Sequence, residues 1–166
     1  MAKSATMTLR KSASALSESA RGEVAEALGA SLADGLDLYS QIKVAHWNIK
    51  GSQFIALHEL FDRFGVSVTG HNDTIAERLV TLGGFAHGTV RESARASKLS
   101  EYPEGAVRDL ELVKVLAARF EQSLDRLRKG RDLAEEKGDT DTHDMLTVVI
   151  TEYEKHSWFL LATLDA

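Results

Sequence analysis

Cysteine is absent from the chain and proline occurs once, at Pro103. Without thiols there are no disulfides, iron–sulfur clusters or cysteine nucleophiles, and any bound metal must rest on nitrogen and oxygen donors. No apolar run approaches the roughly 20 residues of a membrane-spanning helix. The net charge of −5 is too mild to point to a membrane surface. The chain therefore reads as soluble and cytoplasmic. What it has in quantity is Ala, Leu, Glu, Lys and Arg, with 43% apolar residues in a length of 166. That balance predicts long helices around a single core, an all-α domain.

Residues 1–18 are Ser- and Ala-rich and basic through Lys3, Arg10 and Lys11, with Arg21 just beyond. Transit peptides share this composition, and so does a flexible basic arm, which is the reading taken here. The bundle domain is expected over 19–166. Apolar residues at Val24, Leu28, Leu32, Leu36, Tyr39 and Ile42 recur at helical steps and predict a first helix from about Ser19 to Asn48. Gly51 ends it, and Ser52 is placed to cap a second helix that stops at Gly83-Gly84. A long connection follows, with a short helix expected over Val90 to Ala96. A third long helix is expected from near Pro103 to about Glu136, and a fourth after the polar break KGDTDTHD, carrying Met145 to Leu164. Four helices with one long central crossover describe a ferritin-like bundle.

The second helix carries His58 and Asp62 at i, i+4, then Asp73 and Glu77 at the same spacing. At 100° per residue all four fall within an arc of about 100°. His46, at the end of the first helix, can lie beside His58 across the turn. Two imidazoles and a carboxylate suit ferrous iron with open coordination positions. Asp73, however, lies eleven residues beyond Asp62, about 16 Å along a helix, and no single cluster spans that. A second subunit packed antiparallel across a two-fold axis removes the conflict, because its Asp73/Glu77 end would meet His46, His58 and Asp62.

One histidine on a helix is usually a hydrogen-bonded structural residue, and acidic pairs are common on solvated faces. The joint occurrence of four such residues on one arc, with His46 beside them from the first helix, is what argues for a site. The Glu-x-x-His motifs of an intrasubunit di-iron centre are missing: the residues three before each histidine are Lys43, Ile55, Val68, Gly84, Thr140 and Tyr153. His71, His87 and His156 read as structural, and Asn48 and Phe54 as capping and packing residues. The stretch from His58 to Asp62 is a near miss to the H-E-x-x-H zinc motif, which leaves a mononuclear metallohydrolase as a rival reading.

The segments AHWNIKGSQFIALHELFD and HNDTIAERLVTLGG, with SKLSEYP and DMLT…EKHSWF, resemble the Dps family of miniferritins over nearly all of residues 35 to 164. The resemblance implies a dodecameric shell of four-helix subunits that protects DNA. Such a shell oxidises Fe(II), with hydrogen peroxide preferred to oxygen, and mineralises Fe(III) inside. It implies two irons per intersubunit site, held by His46, His58, Asp62, Asp73 and Glu77. Trp47 would relay an electron there, although an exposed aromatic beside a site also serves simply to pack at an interface. Glu135, Glu136, Asp139, Asp141 and Asp144 fall where the family lines its entry pores, and each reads equally as a solvated or capping acid. DNA binding through the N-terminal arm would draw on Lys3, Arg10, Lys11 and Arg21 repeated around the shell. The non-enzymatic alternative is a DNA-compacting nucleoid protein.

Overall fold

The computed structural model describes residues 8–165, and the described chain is helical throughout apart from one isolated bridge pairing Lys50 with Arg108. Helix α1 runs Glu18–Asn48, α2 Phe54–Thr81, α3 Val90–Ala96, α4 Asp109–Glu136 and α5 Thr140–Leu164. The four long helices form two antiparallel pairs, α1 with α2 and α4 with α5, joined chiefly through α1 against α4. The ferritin-like bundle with a short helix in its crossover is thus the fold observed. None of the helices is long and apolar enough to cross a membrane among the described residues.

The core is where the helical stripes meet. Phe61 and Phe64 on α2, Phe120 on α4 and Tyr153 on α5 are all within 2% of complete burial. The Phe120 ring meets Phe64 edge-on at 5.5 Å and Tyr153 at 5.2 Å. Each such side chain contributes about 1.5–3 kcal/mol of transfer free energy, so this aromatic junction adds to the α1–α4 packing in holding the two pairs together.

Two expected boundaries shift. The third long helix begins at Asp109 rather than near Pro103. Pro103 O accepts from Ala106 N–H in a turn where Gly105 has φ +75°, and the chain then runs extended beside Lys50. Lys50 N–H donates to Val107 O at 2.7 Å and Asp109 N–H to Lys50 O at 3.0 Å, a tertiary pairing that holds these residues out of the helix. The N-cap of α2 is Gln53, not Ser52, and its own side chain makes no capping bond. Asp109 does that work from another helix, accepting from Gln53 N–H at 3.1 Å and from Leu110 N–H at 2.9 Å. Those two backbone bonds hold its carboxyl below the usual range. A Cβ on Gly51 would collide with this carboxylate, so the glycine is needed for the approach.

The crossover is tied down by charge. Buried Asp34 accepts from Lys98 N–H at 2.7 Å and pairs with Arg126 at 2.7 Å, while Asp37 accepts from the Ser97 hydroxyl at 2.6 Å. Thr89 and Glu92 close a capping box on α3, and hydrogen bonds from Thr89 and then His87 push the Glu92 carboxyl down to about 2.

Of the arm expected to be flexible, residues 1–7, with Lys3, lie outside the described residues. The remainder, 8–17, runs as a strap over the C-terminal end of α2. Arg10 N–H donates to Gly83 O and the Ser12 hydroxyl to Thr81 O, both at 2.7 Å. Arg21 donates to Leu82 O at 2.8 Å. The strap thus supplies partners to carbonyls that a helix end leaves free.

Candidate metal centre

His46 stands in the last turn of α1 and His58 in the second turn of α2, and the tight Ile49–Gln53 connection folds one onto the other. Their rings stack with centroids 3.8 Å apart and planes 20° from parallel. His46 Nδ1 lies 2.8 Å from His58 O, and His58 Nδ1 lies 2.9 Å from His46 O. A carbonyl oxygen can only accept, so both Nδ1 atoms carry a proton, and in the neutral imidazole this leaves the Nε2 lone pair free for a metal. This is the orientation that backbone partners impose on metal-binding histidines.

Asp62, one turn after His58, brings Oδ1 to 4.0 Å from His46 Nε2. A first-row divalent ion takes such donors at about 2.1 Å each, so the gap is of the size that one shared ion spans. In the single chain the carboxylate is held by Lys43, whose Nζ lies 2.7 Å away. That hydrogen bond, then the ammonium charge, lowers the Asp62 pKa. Lys43 is a site residue the sequence reading passed over. Its position one turn before His46 was the available signal, since an acid on a metal-binding arc needs a counter-charge.

Asp62, Val66, Thr69, Gly70, Asp73, Glu77 and Val80 are all exposed, whereas Leu57, Phe61, Phe64, Val68, Asn72, Ile75 and Leu79 are buried. The arc of acids is therefore the face that α2 turns away from its own core. Neither Asp73 nor Glu77 has an ion-pair partner among the described residues, and both lie more than two turns beyond Asp62. The chain brings His46, His58 and Asp62 together and leaves Asp73 and Glu77 apart. Among the described residues no group of three or more His, Cys, Asp or Glu is arranged within one chain to hold a metal. Trp47, 68% exposed, borders a cavity of about 500 Å³ beside Lys43 and Tyr39.

The remaining sequence candidates separate by environment. Asp139 is 3% exposed, caps α5 through Thr142 N–H, and pairs with Arg78 at 2.6 Å. Its partners are structural, whereas Glu135, Glu136, Asp141 and Asp144 are exposed. His71 Nε2 lies 2.8 Å from Glu152, which also accepts from the Ser67 hydroxyl at 2.8 Å. Ser67, in turn, lies 3.0 Å from His156 Nε2. Ser67 and then His71 lower the Glu152 pKa, and burial pushes His156 down to about 4. His87 pairs with Glu92 on the surface.

The chain matches the Ferritin-like domain family over residues 25–166. It is 38% identical over 156 residues to the DNA protection during starvation protein of Agrobacterium fabrum, covering 94% of this chain and 96% of that one. The crystal structure of a Dps protein from Bacillus brevis superposes with a TM-score of 0.83 at 34% identity, covering 88% of this chain and 97% of that one. The Dps protein of Vibrio cholerae, described as a member of a broad superfamily of ferritin-like diiron-carboxylate proteins, gives 0.87 at 26% identity, covering 95% of this chain and 99% of that one. With the fold, the paired histidines and these likenesses in agreement, the chain belongs to the Dps family of ferritin-like proteins.

Proposed function

We propose that the protein is a miniferritin that oxidises Fe(II) and stores the Fe(III) product, with its ferroxidase site shared between two subunits. The observation that carries this reading is the half-site. Two locked imidazoles aim free Nε2 lone pairs beside Asp62, on a face whose far end bears two unpaired acids. In an antiparallel pair, the partner's Asp73 and Glu77 complete the ligand set. The same face exposes Trp47, Ile55 and Val66, at 65–71% of their surface, and apolar area of this kind marks a binding surface. Trp158 and Leu161 on α5 expose a second apolar patch, which supports a closed dodecamer built through two kinds of contact.

The substrate iron enters against Lys43, and a dication on Asp62 displaces the ammonium. With two Fe(II) in place, hydrogen peroxide takes one electron from each: the O–O bond breaks, and two Fe(III) and two hydroxides form. Paired transfer avoids the one-electron step that releases hydroxyl radical, which favours peroxide as oxidant and protects DNA. The carboxylates stabilise the more highly charged product. The exposed acids Glu135, Glu136, Asp141 and Asp144 would concentrate Fe(II) at an entry pore. DNA contact through the arm is the lesser part of the reading. Arg10 in the strap lies over Phe85, and Arg21 on α1 donates to a backbone carbonyl, so Lys3 and exposed Lys11 would carry it. Duplex DNA retarded equally by full-length protein and by a variant lacking residues 1–7 removes those first residues from the argument.

The ferroxidase reading is tested by stopped-flow Fe(II) oxidation. A His46→Ala/Asp62→Ala variant is expected to lose at least about tenfold to a hundredfold in rate, since changing even the partners of metal ligands costs that much. Wild-type rates in this variant would leave a DNA-compacting protein as the better reading.

A further inference from the structure

We propose that the groove between α1 and the crossover is the route by which hydrogen peroxide reaches the iron site. The inference rests on the ferroxidase reading and names a path for its oxidant. Three cavities follow one another along α1. The first, of about 180 Å³, lies under the crossover against Asp37, Ser40, Gln41, Ser97, Glu101 and Tyr102. Asp37, Ser40, Ala94 and Glu101 also line the second, of about 500 Å³, which extends to Lys43 and Trp47. Tyr39 and Lys43 are common to the second and the third, of about 220 Å³, whose wall includes Asp62. Neighbouring cavities share walls, so the series runs from the crossover to a ligand of the half-site.

Small residues and backbone ties keep the groove open. Gly88, Ser93 and Ala94 line its crossover side, and a Cβ at Gly88 would already meet Leu36 Cδ1 of α1 at 3.4 Å. Gln41 Nε2 donates to Ser100 O at 3.0 Å and Arg119 Nη2 to Glu101 O at 2.8 Å, which fixes the wall beyond α3. At the inner end, a Cβ on Gly65 would come within 3.4 Å of Lys43 Cδ and 3.6 Å of Tyr39 Cε2, so the glycine leaves space there.

Hydrogen peroxide is uncharged, little larger than water, and both donates and accepts hydrogen bonds. The lining suits such a guest. Hydroxyls and carboxylates alternate along it, and the Tyr102 hydroxyl is buried with no hydrogen-bond partner among the described residues, a group that a small polar molecule would satisfy. At about 30 Å³ per water, the second cavity has room for a file of molecules of this size. Ions fare worse. The carboxylates of Asp37 and Glu101 disfavour anions, and the Lys43 ammonium between the second and third cavities disfavours a dication. Both Asp37 oxygens are engaged, one by Gln41 at 3.1 Å and the other by Ser97 at 2.6 Å, so Asp37 and Glu101 do not form an open chelating pair. Peroxide therefore meets Fe(II) at the site and not on the way to it.

The chain has no cysteine, so a single introduced thiol is a specific handle for the test. Ala94→Cys puts it on the wall shared by the first two cavities, at an exposed position outside the ligand set; Ser40→Cys, across the groove, serves if the first variant does not assemble. Separate samples of the assembled protein are capped with methyl or benzyl methanethiosulfonate, and a thiol reductant then removes the cap. Fe(III) formation is timed after mixing Fe(II)-loaded protein with hydrogen peroxide, and anaerobic Fe(II) binding is measured on the same samples. The uncapped variant should match wild type. The benzyl cap should cut the peroxide-dependent rate by about tenfold or more, the methyl cap by less, with Fe(II) binding unchanged and the rate restored by reductant. A wild-type rate under the benzyl cap, or a thiol that neither reagent reaches in the assembled protein, overturns the proposal. Loss of Fe(II) binding along with the rate overturns it too, because the groove would then serve the iron. A wild type that forms no Fe(III) overturns the ferroxidase reading itself.

Discussion

At the scale of single residues, His156 shows what a buried imidazole costs when its surroundings refuse a proton. Its ring sits 4.4 Å from Phe64 and 5.5 Å from Phe120, with 7% of the residue exposed. Glu152 and His71 on the network and Lys155 on its own helix are the charged or titratable groups around it; Glu152 pulls its pKa up, and the other two push it down with burial. The folded value of about 4 lies below the ordinary 6.5, so folding excludes the proton. Stability from this residue is complete above about pH 6.5 and is lost as the pH falls from there toward 4. Between pH 7 and pH 5 the loss is expected to be about 2 kcal/mol per subunit, at 1.36 kcal/mol per pKa unit. The Glu152 carboxyl is held below its ordinary value, chiefly by the Ser67 hydroxyl, and so does not intrude in that window. Chemical denaturation at the two pH values measures the loss, and His156→Phe should remove most of the difference. An unchanged pH dependence in that variant would place the acid sensitivity elsewhere. The sequence reads His71, His87 and His156 as structural, His71 because it lies two positions before Asp73 and so points elsewhere. It could not show that His156 is neutral, since that follows from Phe64 and Phe120 arriving from two other helices.

At the scale of elements, helices α1 and α2 were legible because their signals are local: a 3.6-residue stripe and a glycine stop. The start of α4 was not, because Pro103 is a good first-turn residue and only the pairing of Lys50 with Val107 and Asp109 overrides it. The same distance in sequence hid the cap on α2, which Asp109 supplies from 56 residues away. The strap is the third such case. A basic Ser/Ala-rich stretch reads as a solvated arm until Gly83 is seen to make a place for it. Gly83 has φ +95°, and a Cβ there would strike the Arg10 carbonyl and crowd the Arg21 guanidinium. Gly83→Ala should therefore cost about 1–2 kcal/mol through backbone conformation alone and release the strap as well. Hydrogen exchange should speed up at Arg10 and through the last turn of α2, which ends four residues after Glu77. Exchange unchanged at Arg10 would show that the strap is held by other contacts.

For the whole molecule, the decisive property of the proposed site is that one chain would hold each half of the ligand set at opposite ends of α2. The sequence carried this through the eleven-residue gap between Asp62 and Asp73. The structure adds that Asp62, Asp73 and Glu77 are exposed on the face that α2 turns away from the core, where another chain can meet them. A site divided in this way can be rebuilt from two dead proteins. One variant carries His46→Ala/Asp62→Ala and the other Asp73→Ala/Glu77→Ala; each alone should oxidise iron at the background rate. In a mixed two-fold dimer, one site combines both lesions while the other combines intact histidines and Asp62 with the partner's intact Asp73 and Glu77. Random co-assembly makes half the dimers mixed and leaves one good site in each, so about a quarter of wild-type activity should return. The measurement is the initial rate of Fe(II) oxidation after co-refolding equal amounts, compared with the two variants refolded separately and then mixed. No recovery on co-assembly, with assembly confirmed by mass, would mean that each site draws its ligands from a single chain. Recovery near a quarter is difficult to produce any other way, because neither variant contains a complete set.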